Sequence, residues 1–272
     1  MRRLINQYPS VLNSLLLAVL PFALVFLAYA VASEARLAIN PADKLLPGWA
    51  TIQAAIIRMG FVPDMRTGDF LLFVDTMASL ERLAIGVAFA TIIGGIIGIL
   101  QGLIPYVRAM MANFTSVVSM IPPLAILPIL FITFGLGELS KIVLIAFGIL
   151  PYIVRDLAQR TEEIPHEQII KAQTLGASTW QIILRVVLPQ MLPRLIDSVR
   201  LSLGSAWLYL IAAEAIAAES GLGYRIFLMR RYLAMDVILP YVFWITFLAF
   251  SLDFILRITQ RGLFRWMYRG QA

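Results

Sequence analysis

The chain has 272 residues, of which 60% are hydrophobic and 14% charged, against roughly 45–50% apolar and about 25% charged residues in an ordinary soluble domain. Its mean hydropathy of +0.85 implies a lipid solvent, so a soluble enzyme and a disordered chain are excluded, and the absence of cysteine excludes a disulfide scaffold. The net charge of +6 does not indicate a nucleic-acid partner, because the arginines lie singly between apolar runs and form no basic stripe.

Three uncharged runs are long enough to cross a membrane unaided, since one crossing takes about 20 residues. These runs are residues 11–32, 83–107 and 109–137. Gly102, Pro105 and Tyr106 interrupt the pattern and predict a tight turn over residues 103–113, between the second and third runs. We therefore expect two helices here rather than one very long helix.

Three further spans are shorter and must extend through charged flanks. The side chains expected to snorkel to the membrane surface are those of Lys141, Arg155 and Arg257. Asp197 and Arg200 lie one helical turn apart and are expected to neutralise each other, and Asp253 and Arg257 form a second such pair. The six predicted spans are residues 11–32, 80–102, 114–134, 139–158, 195–218 and 237–259.

The loop charges predict which side of the membrane each loop faces. With six spans, the loops on the side of the termini hold twelve Lys or Arg residues and the opposite loops hold eight. This bias predicts that both termini are cytoplasmic. Residues 33–77 then form an external loop, in which the apolar patch Ile52–Ile57 predicts one short amphipathic helix.

The loop over residues 155–194 is predicted to be a stiff helix-turn-helix on the cytoplasmic side. Residues 162–165 favour a helix start, and Gly176 suits the position just after a helix end. Ser178, with Gln181 three residues later, predicts a capping box for the second helix. The first helix carries apolar residues among polar neighbours, which indicates a docking surface for another protein.

This loop resembles the cytoplasmic signature of ABC importer permeases, in which Glu-Ala-Ala, three residues, Gly, nine residues and Ile-x-Leu-Pro mark the coupling helix. Here Gly176 is followed at that spacing by Val186, Leu188 and Pro189. The segment 170–172 reads Ile-Lys-Ala, so only its third position agrees, and a valine replaces the isoleucine.

Further segments extend the resemblance to residues 47–266. They are Ser79-Leu80-Glu81-Arg82 with Gly86, the run MIPPLAILPILFITFGLGELSKI (120–142), KAQTLGAS (171–178) and AAEAIAAESGLGYRI (212–226). Together they resemble the group of type I ABC importer permeases that imports nitrate, taurine, aliphatic sulfonates, bicarbonate and related small solutes.

The resemblance implies an all-α, polytopic fold of about six transmembrane helices with a cytoplasmic coupling helix, in one permease domain over residues 1–272. It implies a bacterial inner-membrane homodimer, two cytosolic ATPase subunits and an external solute-binding protein. The chain contains no G-x-x-x-x-G-K-[ST] motif, so we expect a transport subunit that is not an enzyme and holds no cofactor, with ATP and Mg on the ATPase partner. The residues expected to contact that ATPase are Ile169, Ile170, Lys171, Ala172, Leu175, Gly176, Ala177 and Ser178.

Candidate pathway residues lie in the third and fifth spans. Glu214 is costly in lipid unless it faces a wet cavity or a partner, so it is a gate, a ligand or the partner of a neighbouring arginine or serine. Trp207 and Tyr209 are two residues apart and do not share a helix face, so at most one faces the pathway. The full set of pathway or gate candidates is Met120, Pro123, Phe131, Trp207, Tyr209 and Glu214.

Other functional classes have less support. An ion-gradient-driven secondary transporter or channel is the main alternative, but the two halves show no matching pair of interrupted spans. A membrane enzyme would need a catalytic cluster, and the single histidine, His166, is expected to be a solvated surface residue. Gly94, Gly98 and Gly102 repeat every four residues and predict a close helix-helix contact.

Overall fold

The computed structural model describes residues 9–41, 43–65 and 68–268, which form helices and their connections. The helices are α1 (Val11–Ile39), α2 (Trp49–Gly60), α3 (Leu71–Leu103), α4 (Pro105–Val118), α5 (Leu127–Phe134), α6 (Glu138–Glu162), α7 (His166–Thr174), α8 (Thr179–Ile182), α9 (Leu188–Ala217), α10 (Leu222–Arg230), α11 (Met235–Leu263) and α12 (Arg265–Tyr268). A 3-10 turn, Pro123–Ile126, precedes α5, and a π turn, Ile183–Val187, joins α8 to α9 without a break.

Within the described ranges, five helices are long and apolar enough to cross a membrane. They are α1, α3, α6, the continuous helix Thr179–Ala217 and α11. The pair formed by α4 and by Pro123–Phe134, whose two parts are bent by 80°, is a candidate for a sixth crossing, as a broken span or as a re-entrant loop. The all-α, polytopic prediction is therefore confirmed, with a break in the predicted third span.

Prolines break the third span, and one prediction just before it is wrong. The span over residues 114–134 is broken, as its prolines predict, because Pro122 and Pro123 follow one another and neither has an N–H for a helical hydrogen bond. The tight turn over residues 103–113 is absent, because Pro105 takes the first position of α4, where proline is well tolerated. Ile104 alone separates α3 from α4.

Helix α3 begins well before the predicted start at residue 80. Its first two turns carry Asp75 and Thr76, which are buried. The charged residues of this segment favour a loop in the sequence. In the structure the Asp75 carboxylate is neutralised by Arg225, as described below. Lys141 is likewise 2% exposed, so the prediction that it snorkels to the surface is wrong; its ammonium group pairs with Glu138 instead.

The centre of the bundle is the contact between α3 and α6, which the glycine repeat predicts correctly. A Cβ atom on Gly94 would lie 2.9 Å from the side chain of Ile153, and one on Gly98 would lie 2.9 Å from the carbonyl oxygen of Val154. At Gly102 the corresponding distance to the carbonyl oxygen of Ala158 is 2.6 Å. The absence of side chains therefore sets the separation of these two helices.

Helix α2 lies in the segment for which a short amphipathic helix is predicted. Its buried residues Ile52, Ala55 and Met59 recur at helical spacing, and it packs on α11. The hydroxyl group of Tyr29 in α1 donates to the carbonyl oxygen of Pro47 at 2.7 Å, which ties α1 to the start of α2. In the connection between them, a hydrogen bond from Arg36 lowers the pKa of Asp43.

Candidate functional site

A buried acid, Glu214, lies near the end of α9 with no exposed surface. Its carboxylate accepts hydrogen bonds from Arg82 Nη1 at 2.7 Å, from Ser79 Oγ at 2.8 Å and from the backbone N–H of Gly223 at 2.8 Å. The interpretation of Glu214 as the partner of an arginine and a serine on a neighbouring helix is therefore confirmed. Charge-assisted hydrogen bonds of this kind offset the free-energy cost of burying the carboxylate.

Arg82 connects three parts of the fold. Besides Glu214 in α9, its guanidinium group donates to Glu138 at the start of α6 and to the carbonyl oxygen of Ser220 at 2.7 Å. Glu138 also accepts from Lys141 at 2.8 Å. The starts of α3 and α6 and the end of α9 are thus joined by ionic contacts at one end of the bundle.

Asp75 extends these contacts to α10 and α11. This fully buried carboxylate accepts from Arg225 Nε at 2.8 Å, from the hydroxyl group of Tyr241 at 3.0 Å and from the N–H of Gly221 at 3.0 Å. Gly221 has a positive φ of 130°, and a Cβ atom there would meet the Glu214 carboxylate at 2.5 Å. We call the group Asp75, Ser79, Arg82, Glu138, Lys141, Glu214 and Arg225 the charge network.

A cavity of about 410 Å³ lies along the opposite half of α6. It reaches from Gly148 and Tyr209 to Gln159 and is bordered by the break in the bent pair at Ser119–Pro123. Its charged lining residues are Arg155 and Asp156. Arg155 and Gln159 are exposed, so the cavity opens outward from the chain.

The predicted pathway residues do not all meet in this cavity. Pro123 and Tyr209 line it. Trp207 is 4% exposed and lies in the hydrophobic core of the bundle. Phe131 packs beside Leu130, and Met120 is 77% exposed. Tyr209 borders the cavity and Trp207 does not, which agrees with their spacing. The role of each predicted residue in transport stays a prediction.

Sequence reasoning did not identify Asp75, Arg82, Glu138 and Arg225 as site residues. Their partners are distant in the chain: Arg82 and Glu214, for example, are 132 positions apart. The available signal was the resemblance of segments 79–82 and 212–226, which supply both halves of the charge network.

The segment after α6 has the predicted helix-turn-helix geometry. Helix α7 ends at Thr174, and Gly176 follows with a φ of +80°. Ser178 and Gln181 form the predicted capping box, with the Ser178 N–H donating to the Gln181 side chain at 2.8 Å. The turn is therefore a defined structure and not a flexible loop.

Comparisons with known proteins decide the family. Residues 86–268 match the family model described as "Binding-protein-dependent transport system inner membrane component", which covers well over half of the chain. The chain belongs to this family. It is therefore the membrane-spanning permease component of an ABC importer, as the resemblance implies.

Individual relatives agree with this membership. The permease is 37% identical to the taurine transport system permease protein TauC of Escherichia coli (strain K12) over 73% of this chain and 72% of that protein. It is 33% identical to the bicarbonate transport system permease protein CmpB of Synechococcus elongatus over 72% of this chain and 71% of that protein. The putative aliphatic sulfonates transport permease protein SsuC of Bacillus subtilis is 29% identical over a similar share, 72% and 71%.

A solved structure supports the fold. The permease aligns with a chain of the MetNI methionine ABC transporter in an inward-facing conformation, with a TM-score of 0.64 and 22% identity, over 73% of this chain and 99% of that chain. The family and the spans together indicate a multi-pass inner-membrane protein, and membership implies ATPase and solute-binding partners.

One contact at the cavity allows a test of the geometry. A Cβ atom on Gly148 would lie 2.2 Å from Tyr209 Cε2, so Gly148→Ala is expected to displace the ring and destabilise the permease by about 1–3 kcal/mol. The free energy of unfolding by SDS in mixed micelles measures this. If Gly148→Ala costs the same when Tyr209 is already alanine, the proposed clash is absent.

Proposed function

We propose that two copies of this permease form the pathway of an importer for a small solute that carries a sulfonate, carboxylate or carbonate group. ATP hydrolysis takes place on separate cytosolic ATPase subunits, which hold the ATP and Mg, and an external binding protein delivers the solute. The named substrates of the relatives support this class: taurine, aliphatic sulfonates and bicarbonate all carry a small oxyanion.

The observation that carries the coupling part of the proposal is an exposed apolar surface on a rigid turn. Ile170, Leu175 and Trp180 are 55%, 87% and 63% exposed, although they lie in a segment of charged and polar neighbours. An exposed apolar patch that is rimmed by polar residues is typical of a protein–protein interaction site. We assign this surface, which comprises residues 169–178 and Trp180, to the ATPase subunit.

The proposed orientation follows from the loop charges. The part of residues 155–194 that follows α6 faces the cytoplasm as the coupling loop, and residues 33–77 and the charge network lie at the external side. Both termini are cytoplasmic, although residues 1–8 and 269–272, with several of the basic residues that support this side, lie outside the described residues. Closure of the ATPase subunits would move the two coupling loops together and shift the packed helices.

The complete complex tests the proposal. The permease is reconstituted in vesicles with its ATPase and binding protein, and uptake of labelled taurine, ethanesulfonate and bicarbonate is measured with and without ATP. We expect uptake of at least one of these anions that requires ATP and both partners. Transport by the permease alone, driven by an ion gradient, would contradict the proposal and support a secondary transporter.

Gly176→Val is expected to uncouple the permease from its ATPase. A Cβ atom there meets nothing within 4 Å, so the effect comes from the backbone, where a left-handed conformation costs an L-residue about 1–2 kcal/mol. That strain corresponds to a loss of roughly 5- to 30-fold in docking affinity. The amount of ATPase that co-purifies with the permease measures the change.

Gly176→Asn is the matched control, because asparagine tolerates the left-handed conformation at a helix end. It is expected to retain most of the bound ATPase. Equal ATPase recovery with valine and glycine, at an unchanged unfolding midpoint, would exclude this turn from the coupling contact.

A further inference from the structure

Arg155 is a cation in a spanning helix that has no carboxylate partner among the described residues. Its Nη1 atom donates to the hydroxyl oxygen of Ser119 at 3.0 Å. A guanidinium group has five N–H donors, and no other described group accepts from those that remain. A charged side chain within a membrane span is costly and marks a functional site by default.

The neighbouring carboxylate does not neutralise this cation. Asp156 Oδ2 accepts from Arg160 Nε at 2.8 Å and from the hydroxyl group of Ser198. Because Asp156 is balanced by Arg160, the charged lining of the cavity carries an excess positive charge at Arg155. An anion in the cavity would therefore be attracted rather than repelled.

Other polar groups in the cavity are also available to a ligand. Tyr152, Tyr209 and Gln159 line the cavity, and their side-chain polar groups have no hydrogen bond to any described residue. All three can donate a hydrogen bond. Oxyanions are bound by this combination of a guanidinium group and neutral donors.

The backbone around the cavity is compatible with a water-filled space. Residues 119–122 lie between the two parts of the bent pair, outside α4 and the 3-10 turn, and Ser119 and Ile121 border the cavity. Non-helical backbone at membrane depth is tolerated where it lines a water-filled cavity or is buried in protein. The volume of about 410 Å³ also lies within the range of roughly 300–1,000 Å³ for small-molecule pockets.

We propose that this cavity is a transit site for a small oxyanion, with Arg155 as its cationic ligand and the Tyr152 and Tyr209 hydroxyl groups as hydrogen-bond donors. The inference rests on the proposed function, since it requires that the permease carries an anion. A lipid phosphate offers the same chemistry to Arg155, so the test separates a solute from a headgroup.

The experiment measures uptake by the complete complex in vesicles. Arg155→Gln is expected to lower anion uptake about tenfold or more, whereas Arg155→Lys retains an intermediate rate because it keeps the charge but loses the bidentate geometry. Tyr209→Phe keeps the ring on Gly148 and is expected to lower uptake several-fold. Arg261→Gln, an exposed arginine near the end of α11, is the matched control and leaves uptake unchanged.

The outcomes separate the two proposals. If the wild-type complex takes up none of taurine, ethanesulfonate and bicarbonate, the proposed function fails and the transit site fails with it. If wild type takes up an anion and both Arg155→Gln and Tyr209→Phe match it, the transit site alone is overturned. A defect of Arg155→Gln that disappears in vesicles of pure phosphatidylcholine, without anionic lipid, also overturns it and assigns Arg155 to a headgroup; a defect that persists there supports the solute site.

Discussion

Glu214→Ala is expected to destabilise the permease by about 3–5 kcal/mol, the cost of removing one partner of a buried ion pair. The loss leaves Arg82, whose side chain is 6% exposed, with one carboxylate instead of two. It also leaves Ser79 Oγ and the Gly223 N–H without their acceptor. The free energy of unfolding in SDS mixed micelles measures the effect.

A double-mutant cycle assigns this loss to the pair. Arg82→Ala alone is expected to cost as much as Glu214→Ala, and the double variant to cost less than the sum, because neither buried charge then remains unpaired. Glu219→Ala is the matched control, since Glu219 is exposed and lies only five positions further along the chain. A Glu214→Ala variant as stable as Glu219→Ala would show that the charge network does not hold this end of the bundle.

Of the charge network, the sequence singles out Glu214 as a candidate site residue and does not identify its partners. Glu214 stands alone in an apolar segment, so its cost in lipid is visible without a structure. Arg82 and Asp75 precede the uncharged run that begins at residue 83. Charged residues at such a position are typical of the end of a membrane span. Only the packing of α3 on α9 and α10 shows that these charges are neutralised inside the protein.

Local rules predict the turns well and the bend poorly. The capping box at Ser178 and the left-handed glycine at 176 depend on neighbours within a few residues, and both are present. Pro122 and Pro123 predict that a helix breaks. The angle of 80° depends on where α5 packs against α6, which no local pattern contains.

The role of Arg155 also depends on contacts that no local pattern contains. A basic residue near the end of a short span reads as an anchor at the membrane surface. The structure adds the cavity beside it and the commitment of Asp156 to Arg160, and both facts depend on contacts between helices. The distinction between an anchor and a ligand therefore depends on tertiary structure.

Alanine at Gly98 and at Gly102 is expected to force α3 and α6 apart. At Gly102 a Cβ atom would lie 2.5 Å from Thr161 Cβ and 2.6 Å from the carbonyl oxygen of Ala158. Because that oxygen belongs to the backbone of α6, relief requires a shift of the helix and not of one side chain. Each substitution is expected to cost about 1–3 kcal/mol, and the double variant is expected to fold poorly.

Gly204→Ala is the control, and it is expected to have the opposite sign. Gly204 lies in the interior of α9, and a Cβ atom there meets nothing within 4 Å. Alanine in a helix interior is favoured over glycine by roughly 0.5–1 kcal/mol, so this variant should unfold at higher SDS. If Gly98→Ala and Gly102→Ala were stabilising as well, helix propensity would outweigh the contact, and the close approach of α3 and α6 would not require glycine.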